Sequence, residues 1–397
     1  MNAENSAAQK ICFGIVAGEI SGDILGADLI AALKETYPDA TFVGIGGERM
    51  IKAGMQTLFP MERLSVMGFI EPLKRLPELL RIRSFLKQYF IKHKPTVFIG
   101  IDAPDFNLSL ELYLKKHGVR TVHYVSPTVW AWRKGRIHKI KKAVNRMLCV
   151  FPFESPIYEE YQVPMTFVGH PLADEIPMDS SKSQARTILD LPQEKKIVAL
   201  LPGSRAQEIA KLGQPFIETA RWLKANFEEV EFISPLVNES IEEQFKAQLA
   251  CNTDVKVKCF KGNARTVMAA ADVVLTVSGT ASLEAMLVKR PTIVAYKMSK
   301  LGFVIAKRII HVPYIALPNL LAGKLIMKEF IQEAVKPEAM GKAILAYLMT
   351  PELSEQDSAI FSEIHESLRK DAGKTAASAI REVIKENEWQ SSVELMK

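Results

Sequence analysis

Short apolar runs alternate with amphipathic stretches along most of the chain. The runs are rich in Val, Ile and Phe and predict buried strands, while the stretches between them carry apolar residues at helical spacing. An alternation of strand and helix is typical of βαβ units, which build a mostly parallel sheet. The first series of predicted strands occupies residues 11–17, 41–45, 97–101, 121–125, 146–151 and 166–168.

A polar, proline-containing stretch at 171–193 interrupts this alternation, and a second series follows it. We therefore expect an α/β protein of two doubly wound, Rossmann-like domains, 1–170 and 171–365, with a cleft between them. The tail, 366–397, shows helical spacing and is expected to pack back on the first domain. The second series of predicted strands occupies residues 197–201, 230–235, 255–260, 273–277 and 292–296.

The composition predicts a cellular compartment and a class of partner. The four cysteines show no metal-binding spacing, and neither a signal sequence nor an apolar run long enough to span a bilayer is present. These features predict a cytoplasmic protein with free thiols. Residues 133–146 contain seven Lys and Arg and no acid, which favours a phosphorylated substrate, a polyanion or an anionic membrane face. Nucleic acid is disfavoured, because no nucleic-acid-binding module is recognised.

Residues 201–208, LPGSRAQE, follow an apolar strand and precede a helix. Backbone N–H groups at such a helix start attract anions, and a guanidinium matches phosphate oxygens, so we expect Gly203, Ser204 and Arg205 to bind a diphosphate. The alternative is a plain strand–turn–helix corner with a surface arginine.

A second strand end, at 277–284, strengthens the prediction of a nucleotide site. Gly279 allows close backbone approach, and Ser278, Thr280 and Ser282 are expected to cap the helix and present hydroxyls. Glu284, one turn inside, is expected to accept hydrogen bonds from a ribose, unless it is simply an exposed helical acid. Two such helix starts at the ends of parallel strands are typical of a nucleotide diphosphate site.

In the first domain, the loop 18–23 lacks the GxGxxG spacing of a nicotinamide site. We expect Glu19, Ser21 and Gly22 to line the mouth of the cleft, with Ser21 and Asp23 capping the following helix.

Two carboxylates, Asp102 and Asp105, follow the strand 97–101. A partly desolvated carboxylate beside a cleft can act as a general base. Asp105 is expected to cap the next helix, which makes Asp102 the better base, although the choice between them stays open.

Three further residues are expected in the cleft: Ser126, Trp130 and His170. Trp130 and Trp132 form either an aromatic wall beside the basic segment or ordinary packing. His170 ends a strand at the domain junction, where we expect it to hydrogen-bond ligand or backbone rather than act as a base.

The segment 64–90 has apolar residues at helical spacing with Lys and Arg between them. It forms either an amphipathic helix that covers the sheet or a surface that meets anionic lipid or acyl chains. The residues expected to contact lipid are Val66, Met67, Phe69, Leu73, Arg75 and Leu76.

Eight ordered segments resemble the lipid-A-disaccharide synthase family, membrane-associated glycosyltransferases of the GT-B fold. They span nearly the whole chain, and together they are highly specific. The segments are GEISGD (18–23), MGFIEP (67–72), GIDAPDFN (100–107), YVSPTVWAW (124–132), GHP (169–171), LPGSR (201–205), SGTASLE (278–284) and LPNLLAG (317–323).

The resemblance implies that UDP-2,3-diacylglucosamine donates its sugar, with inversion, to the 6-hydroxyl of 2,3-diacylglucosamine 1-phosphate. The products are the β-1,6-linked lipid A disaccharide 1-phosphate and UDP, in Gram-negative bacteria. Asp102 would be the base, Arg205 and the Ser278–Thr280 turn would stabilise UDP in place of a metal, and Asn319 with Leu320 would complete the nucleotide pocket. No cofactor is expected. The protein would lie peripherally on the cytoplasmic face of the inner membrane, and a homodimer is left open.

Two alternatives remain. A UDP-sugar 2-epimerase would share the nucleotide site but would need no lipid acceptor and no detergent. A non-catalytic nucleotide-binding module would function unchanged in an Asp102→Ala variant. Neither explains the basic, leucine-rich segment 66–94 as well.

Overall fold

The computed structural model describes residues 11–64, 71–310 and 312–395. The chain divides into two compact units, of which the first contains Met1–Pro171 and Arg369–Lys397 and the second contains Leu172–Leu368. The boundaries expected from the sequence fall after residues 170 and 365. Each unit contains one parallel sheet with helices packed against it.

The sheet of the first unit has seven parallel strands: β1 (Cys12–Ala17), β2 (Thr41–Ile45), β3 (Met55–Thr57), β4 (Val97–Ile101), β5 (Thr121–Tyr124), β6 (Arg146–Cys149) and β7 (Met165–Phe167). Their order is β3-β2-β1-β4-β5-β6-β7. Strands of a parallel sheet are covered on both faces and therefore carry nearly continuous apolar runs. Accordingly, β4 is buried at every position.

The helices of this part of the chain are α1 (Ile20–Thr36), α2 (Glu48–Lys52), α3 (Glu71–His93), α4 (Pro104–Lys116), α5 (Ile137–Ala143) and α6 (Ser155–Glu160). One side of α3 packs into the core through Ile82, Leu86 and Phe90, which are buried. Short 3-10 helices lie at Met61–Arg63, Lys134–Arg136 and Pro152–Glu154.

The sheet of the second unit has six parallel strands: β8 (Lys196–Leu201), β9 (Val230–Leu236), β10 (Val257–Lys261), β11 (Val273–Val277), β12 (Thr292–Tyr296) and β13 (Lys328–Ile331). Their order is β10-β9-β8-β11-β12-β13. The helices are α7 (Pro171–Glu175), which begins at the unit boundary, α8 (Lys182–Ile188), α9 (Ala206–Asn226), α10 (Glu239–Ala250), α11 (Ala264–Ala270), α12 (Thr280–Leu287), α13 (Lys300–Ile309), α14 (Leu317–Ala322), α15 (Pro337–Met349) and α16 (Pro351–Leu368). A 3-10 helix lies at Gln332–Ala334.

The sequence pattern missed two strands, β3 and β13, and both lie at the edge of a sheet. The strand β3 has three residues, too few for a periodic signal. In β13 the apolar residues are preceded by Lys328 and Glu329, because an edge strand is partly open to solvent and tolerates charge.

The tail forms α17 (Ala372–Leu395) and packs within the first unit against α1 and β6. Arg120 donates to the carbonyl oxygens of Val383 and Ile384 near the middle of this helix. Arg146 forms ion pairs with Glu382 and Glu386 at 2.7 and 3.0 Å. Arg146, one of the cations of the basic segment 133–146, thus holds the tail helix.

The described helices include none with the length and apolar character needed to cross a bilayer.

Candidate active site

The sequence motifs gather where the strand order of each sheet reverses. In the first sheet β1 lies beside β4, with Ala17 opposite Ile101, and in the second β8 lies beside β11, with Leu201 opposite Thr276. Ligands of open α/β sheets bind outside the carboxyl ends of the strands at such switch points. Asp102 and the loop 18–23 lie at the first switch point, and Arg205 and the loop 278–280 lie at the second.

The residue Asp102 lies in a strained turn directly after β4. Asp102 and Ala103 both have left-handed backbone angles, with φ of 51° and 43°. Buried Asn107 donates to the carbonyl oxygen of Asp102 at 2.9 Å, and the Asp102 N–H donates to the carbonyl oxygen of Tyr124. Val125, directly after the neighbouring strand β5, has φ of 79°. Strain of this kind persists only where surrounding structure enforces it, and it clusters at functional sites.

The expected capping role of Asp105 is wrong. Ala103 is the N-cap residue of α4 and makes no side-chain cap, whereas Asp105 lies in the first turn. Its carboxylate is 81% exposed and pairs with Arg136 at 2.6 Å and with Arg133 at 3.8 Å. The two carboxylates therefore differ: Asp102 is half-buried in a constrained turn, and Asp105 is an exposed counter-ion.

The loop 18–23 also differs from its expected capping. Glu19 is the N-cap residue of α1 without a side-chain cap, and Ser21 is exposed in the first turn. Asp23 caps α2 instead, because its carboxylate accepts from the N–H groups of Gly47, Arg49 and Met50 at 2.8–3.1 Å. Gly22 is buried, and a Cβ there would lie 3.3 Å from that of Ala17. Glu19 and Ser21 thus remain at the exposed rim of the first switch point.

The carboxyl group of Glu154 is buried beside Trp130 and Ser126, two of the residues predicted to line the cleft, and its role was not predicted from the sequence. It accepts from Trp130 Nε1 at 3.1 Å and from the Phe151 N–H at 3.1 Å. Ser126 is buried and shares a hydrogen bond of 2.7 Å with the Tyr158 hydroxyl. Burial raises the pKa of Glu154 to about 7, although the hydrogen bonds from Phe151 and Trp130 oppose the shift. Trp130 is therefore oriented by a carboxyl group rather than by apolar packing alone.

The ring of His170 stacks on Phe151 with a centroid separation of 5.4 Å. Burial lowers the pKa of His170 to about 4, so the imidazole is neutral at neutral pH. A neutral ring is consistent with the expected hydrogen-bonding role, which stays a prediction.

In the second unit, the predicted anion site at the start of α9 contains a carboxylate of the protein itself. Glu208 accepts from the N–H groups of Ser204 and Arg205 at 2.9 and 3.2 Å, and its other oxygen accepts from the Arg205 guanidinium at 3.1 Å. Gly203 has φ of 135°, and a Cβ there would lie 2.3 Å from that of Glu208. Glu208 therefore takes the place that a phosphate oxygen would take. The spacing of a glutamate three residues after the N-cap predicts this arrangement.

In the loop after β11, the residue at the N-cap of α12 is a glycine, and no hydroxyl group caps this helix. Gly279, with φ of 147°, is the N-cap residue of α12, and no side chain caps this helix, so the expected capping by Ser278, Thr280 and Ser282 is wrong. Buried Ser282 donates to the Gly279 carbonyl oxygen, while Thr280 is exposed. The N–H groups at the start of α12 thus lie beside an exposed glycine and threonine.

The expected ribose ligand Glu284 is engaged by an arginine. Its carboxylate accepts from Arg265 Nε at 2.9 Å, and the same guanidinium pairs with Glu175 at 2.8 Å. Arg265 was not predicted, because α11 and α12 meet only in the folded unit. Glu284 is mostly buried, so the exposed-acid alternative is wrong.

Asn319 and Leu320 were expected to complete the nucleotide pocket, and the side-chain amide of Asn319 is engaged within the protein. Asn319 is fully buried, and its amide makes four hydrogen bonds, to Glu329, to the Met327 carbonyl oxygen and from the N–H groups of Ile326 and Met327. These bonds use its full capacity. Glu329 also accepts from the N–H groups of Ile315 and Ala316, and the Ile315 carbonyl oxygen accepts from Ser278. Asn319 therefore supports the loop that meets Ser278, and Leu320 is half-buried in α14.

The predicted lipid-contact residues are only partly described. Val66, Met67 and Phe69, and the side chain of Leu73, lie outside the described residues. Leu76 is 49% exposed on α3, and Arg75 is exposed beside it and donates to the Glu62 carbonyl oxygen.

The sequence and fold comparisons identify relatives along the whole chain. A family model described as lipid-A-disaccharide synthetase matches residues 12–383. The lipid-A-disaccharide synthase of Cellvibrio japonicus (strain Ueda107) is 47% identical over 372 residues, covering 94% of this chain and 97% of that protein. The synthase of Pseudomonas syringae pv. syringae (strain B728a) is 48% identical over 370 residues, covering 93% and 96%.

Solved structures of similar fold are more distant in sequence. The UDP-GlcNAc 2-epimerase of Neisseria meningitidis, solved bound to UDP-GlcNAc, has a TM-score of 0.57 at 13% identity and covers 95% of this chain and 100% of that chain. MurG of Acinetobacter baumannii has a TM-score of 0.56 at 11% identity, covering 94% and 99%. Such likenesses concern the fold alone, and they confirm the expected GT-B class of α/β protein.

Proposed function

The chain belongs to the lipid-A-disaccharide synthetase family, and from this premise we propose how its residues carry out the reaction. It is a glycosyltransferase of lipid A biosynthesis. The epimerase alternative is supported only by fold likeness at 13% identity. The donor is UDP-2,3-diacylglucosamine, the acceptor is 2,3-diacylglucosamine 1-phosphate, and the product is the β-1,6-linked disaccharide 1-phosphate.

Asp102 is the proposed general base, and its constrained turn at the first switch point is the observation that carries the assignment. Its carboxylate takes the proton of the acceptor 6-hydroxyl while that oxygen bonds to the anomeric carbon of the donor. The bond from this carbon to the diphosphate oxygen breaks, and its electron pair leaves with UDP. Attack opposite the leaving group inverts the anomeric carbon. A positioned base contributes roughly 10²–10⁴-fold in rate.

The second unit binds the UDP moiety in this proposal. The diphosphate replaces the Glu208 carboxylate at the start of α9 and takes over its contacts with Arg205 and the N–H groups of residues 204 and 205. The N–H groups at the start of α12 provide a second contact, and Glu284 is oriented by Arg265 to accept from the ribose. The guanidinium and the aligned N–H groups stabilise the charge that develops on UDP, the role that we propose in place of a metal.

The segment 66–94 is the proposed contact with the cytoplasmic face of the inner membrane. Leu76 and Leu80 are 49% and 45% exposed on α3, and Arg75 and Arg81 are exposed beside them. Exposed leucines among cations suit the boundary between headgroups and acyl chains, where the leucines are buried and the cations meet anionic lipid.

One assay tests the donor, the acceptor and the absence of a metal. Purified protein is incubated with both lipid substrates in mixed micelles containing EDTA, and the disaccharide 1-phosphate is measured by mass spectrometry. We expect product with EDTA at the rate seen without it. Activity that EDTA abolishes and Mg²⁺ restores would contradict the metal-free proposal, and epimerised UDP-sugar without disaccharide would contradict the assigned reaction.

A further inference from the structure

Four cations lie along the first turns of α4, and two of them pair with the carboxylate of Asp105. Arg136 Nη2 lies 2.6 Å from Asp105 Oδ1, and Arg133 Nη1 lies 3.8 Å from the same oxygen. Arg83, from α3, donates to the backbone carbonyl oxygen of Asp105. Lys139, one turn further along α5, donates to Ser109 at 2.7 Å. The cations thus come from α3 and from the segment 133–139, and they meet beside Asp105 and Ser109 of α4.

The negative charge in this cluster is too small to balance the cations. Among the described residues, Asp105 is the only carboxylate within ion-pair distance of Arg133 or Arg136, and none pairs with Arg83 or Lys139. The pKa of Lys139 is lowered, mainly by burial and then by the charge of Arg83, with Arg136 adding to the effect and both Asp105 and the buried Glu111 opposing it. The local field is therefore positive even with the Asp105 carboxylate in place, and a site of this kind favours a further anion.

The cluster adjoins the proposed base. Asp102 and Asp105 are three residues apart, so the chain places their Cα atoms within about 11 Å at most. Arg136 is mostly buried, with 12% of its side chain exposed, and its guanidinium is oriented by Asp105. A guanidinium held in this way loses little conformational freedom when it binds phosphate oxygens.

We propose that Arg83, Arg133, Arg136 and Lys139 bind the phosphomonoester of the acceptor sugar, while Asp102 faces its hydroxyl. This inference rests on the proposed function, because it requires a phosphorylated acceptor at Asp102. At pH 7 a phosphomonoester carries a charge of about −1.5 to −2, which offsets much of the excess of the four cations over Asp105. The cluster would thereby make the enzyme select a phosphorylated acceptor over the same sugar without phosphate.

The test compares two acceptors, 2,3-diacylglucosamine with and without its 1-phosphate, in micelles of neutral detergent that contain no anionic lipid. The wild type should prefer the phosphorylated acceptor in kcat/KM. Arg136→Gln should lower kcat/KM for that acceptor roughly 10- to 100-fold, the range of one charge-assisted hydrogen bond, and should leave the other acceptor nearly unchanged. Lys116→Gln removes an equal charge from the exposed far end of α4 and should alter neither value.

Several outcomes would overturn the inference. If Arg136→Gln lowered kcat/KM equally for both acceptors, its role would be structural, and Arg136→Lys, which keeps the charge, would then rescue neither value. If the defect appeared only when anionic phospholipid was added to the micelles, the cluster would bind lipid headgroups. If UDP affinity fell in Arg136→Gln, it would bind the donor. Wild-type protein that makes no disaccharide from either acceptor would instead contradict the proposed function.

Discussion

The loop after β4 in the first unit and the loop after β8 in the second carry the two charges of the proposed reaction, and they are built differently. Asp102 follows β4 in a left-handed turn that buried Asn107 and the Tyr124 carbonyl oxygen restrain. Arg205 follows β8 on an exposed corner, 64% exposed, and its ion-pair partner is Glu208 of the next helical turn. The first loop is restrained by the helix that follows it and by the neighbouring strand β5, and the second by the first turn of its own helix.

This difference indicates what each of the two loops does when substrate binds. A base whose backbone is held from both sides of the turn is already positioned, so its contribution includes orientation. In the proposed reaction Arg205 exchanges the Glu208 carboxylate for the diphosphate. Until UDP binds, Glu208 accepts hydrogen bonds from the Ser204 and Arg205 N–H groups and from the Arg205 guanidinium. The first and last of the following predictions test this contrast, and the second tests the buried carboxyl group Glu154 in the first unit.

The largest expected effect is that of Asp102→Asn. We expect kcat to fall by roughly 10²–10⁴-fold, because the amide cannot accept the hydroxyl proton. Binding of UDP, measured by calorimetry, should stay unchanged, since the change lies in the first unit. Asp105→Asn is the matched control, and we expect it to lower kcat less than tenfold, because the Asp105 carboxylate, unlike its mostly buried partner Arg136, is 81% exposed and solvent screens the pair to about 1 kcal/mol or less. If Asp105→Asn lowered kcat more than Asp102→Asn does, Asp105 would be the base, and the contrast between the two loops would not hold.

A second prediction concerns the buried carboxyl Glu154 behind Trp130. Its pKa is raised to about 7 in the folded protein, against 4.5 as its ordinary value. Between these pH values the folded state binds more protons than the unfolded chain, so stability falls as pH rises through this window. The total loss of unfolding free energy across this window is about 3 kcal/mol. Glu154→Gln should remove this fall.

The measurement is the urea-unfolding free energy of wild type and Glu154→Gln at pH 5 and pH 8. The wild type should lose roughly 2.5 kcal/mol relative to the variant between these values. His170 is the same in both proteins, and its pKa, lowered to about 4, makes stability rise with pH in part of this range, so the comparison cancels it. Parallel pH profiles would mean that Glu154 is not the titrating group.

The smallest expected effects concern the pair in the second unit. Arg205→Ala should raise the Kd for UDP about 10- to 100-fold, as expected for the loss of a charge-assisted hydrogen bond. Glu208→Gln should leave this Kd unchanged or lower it a few fold, because the competing charge is gone while the amide can still accept from the N–H groups. Calorimetry with UDP measures both. Similar weakening in the two variants would show that Glu208 assists UDP rather than giving way to it.

Local patterns predicted most of the fold and part of the site. The strands β4 and β11 were predicted with the bounds that the structure has, because buried parallel strands carry continuous apolar runs. The loops that follow them were singled out because glycine, carboxylate and arginine interrupt those runs at strand ends. The edge strand β13 was missed, because its charged residues resemble a loop.

Hydrogen-bond partners were predicted less well, since they depend on contacts between distant segments. Asp23 was expected to cap α1, but it caps α2, which begins 25 residues later. Asn319 was expected to face a ligand, but its amide is used by residues 326–329. Glu208 was not singled out either, although its spacing from the start of α9 is a local signal that could have identified it.

The sequence by itself determined two βαβ series, the loops that interrupt them and the membership of a family, because these depend on periodicity and on residues close along the chain. Only the tertiary structure decided that β1 lies beside β4 and β8 beside β11, which brings the chosen loops to the switch points. It also decided that the Glu154 carboxyl group is buried and that Arg83, Arg133, Arg136 and Lys139 come together along the first turns of α4. Desolvation and clustered charge arise from segments up to 56 residues apart along the chain, from Arg83 to Lys139, and no local pattern records them.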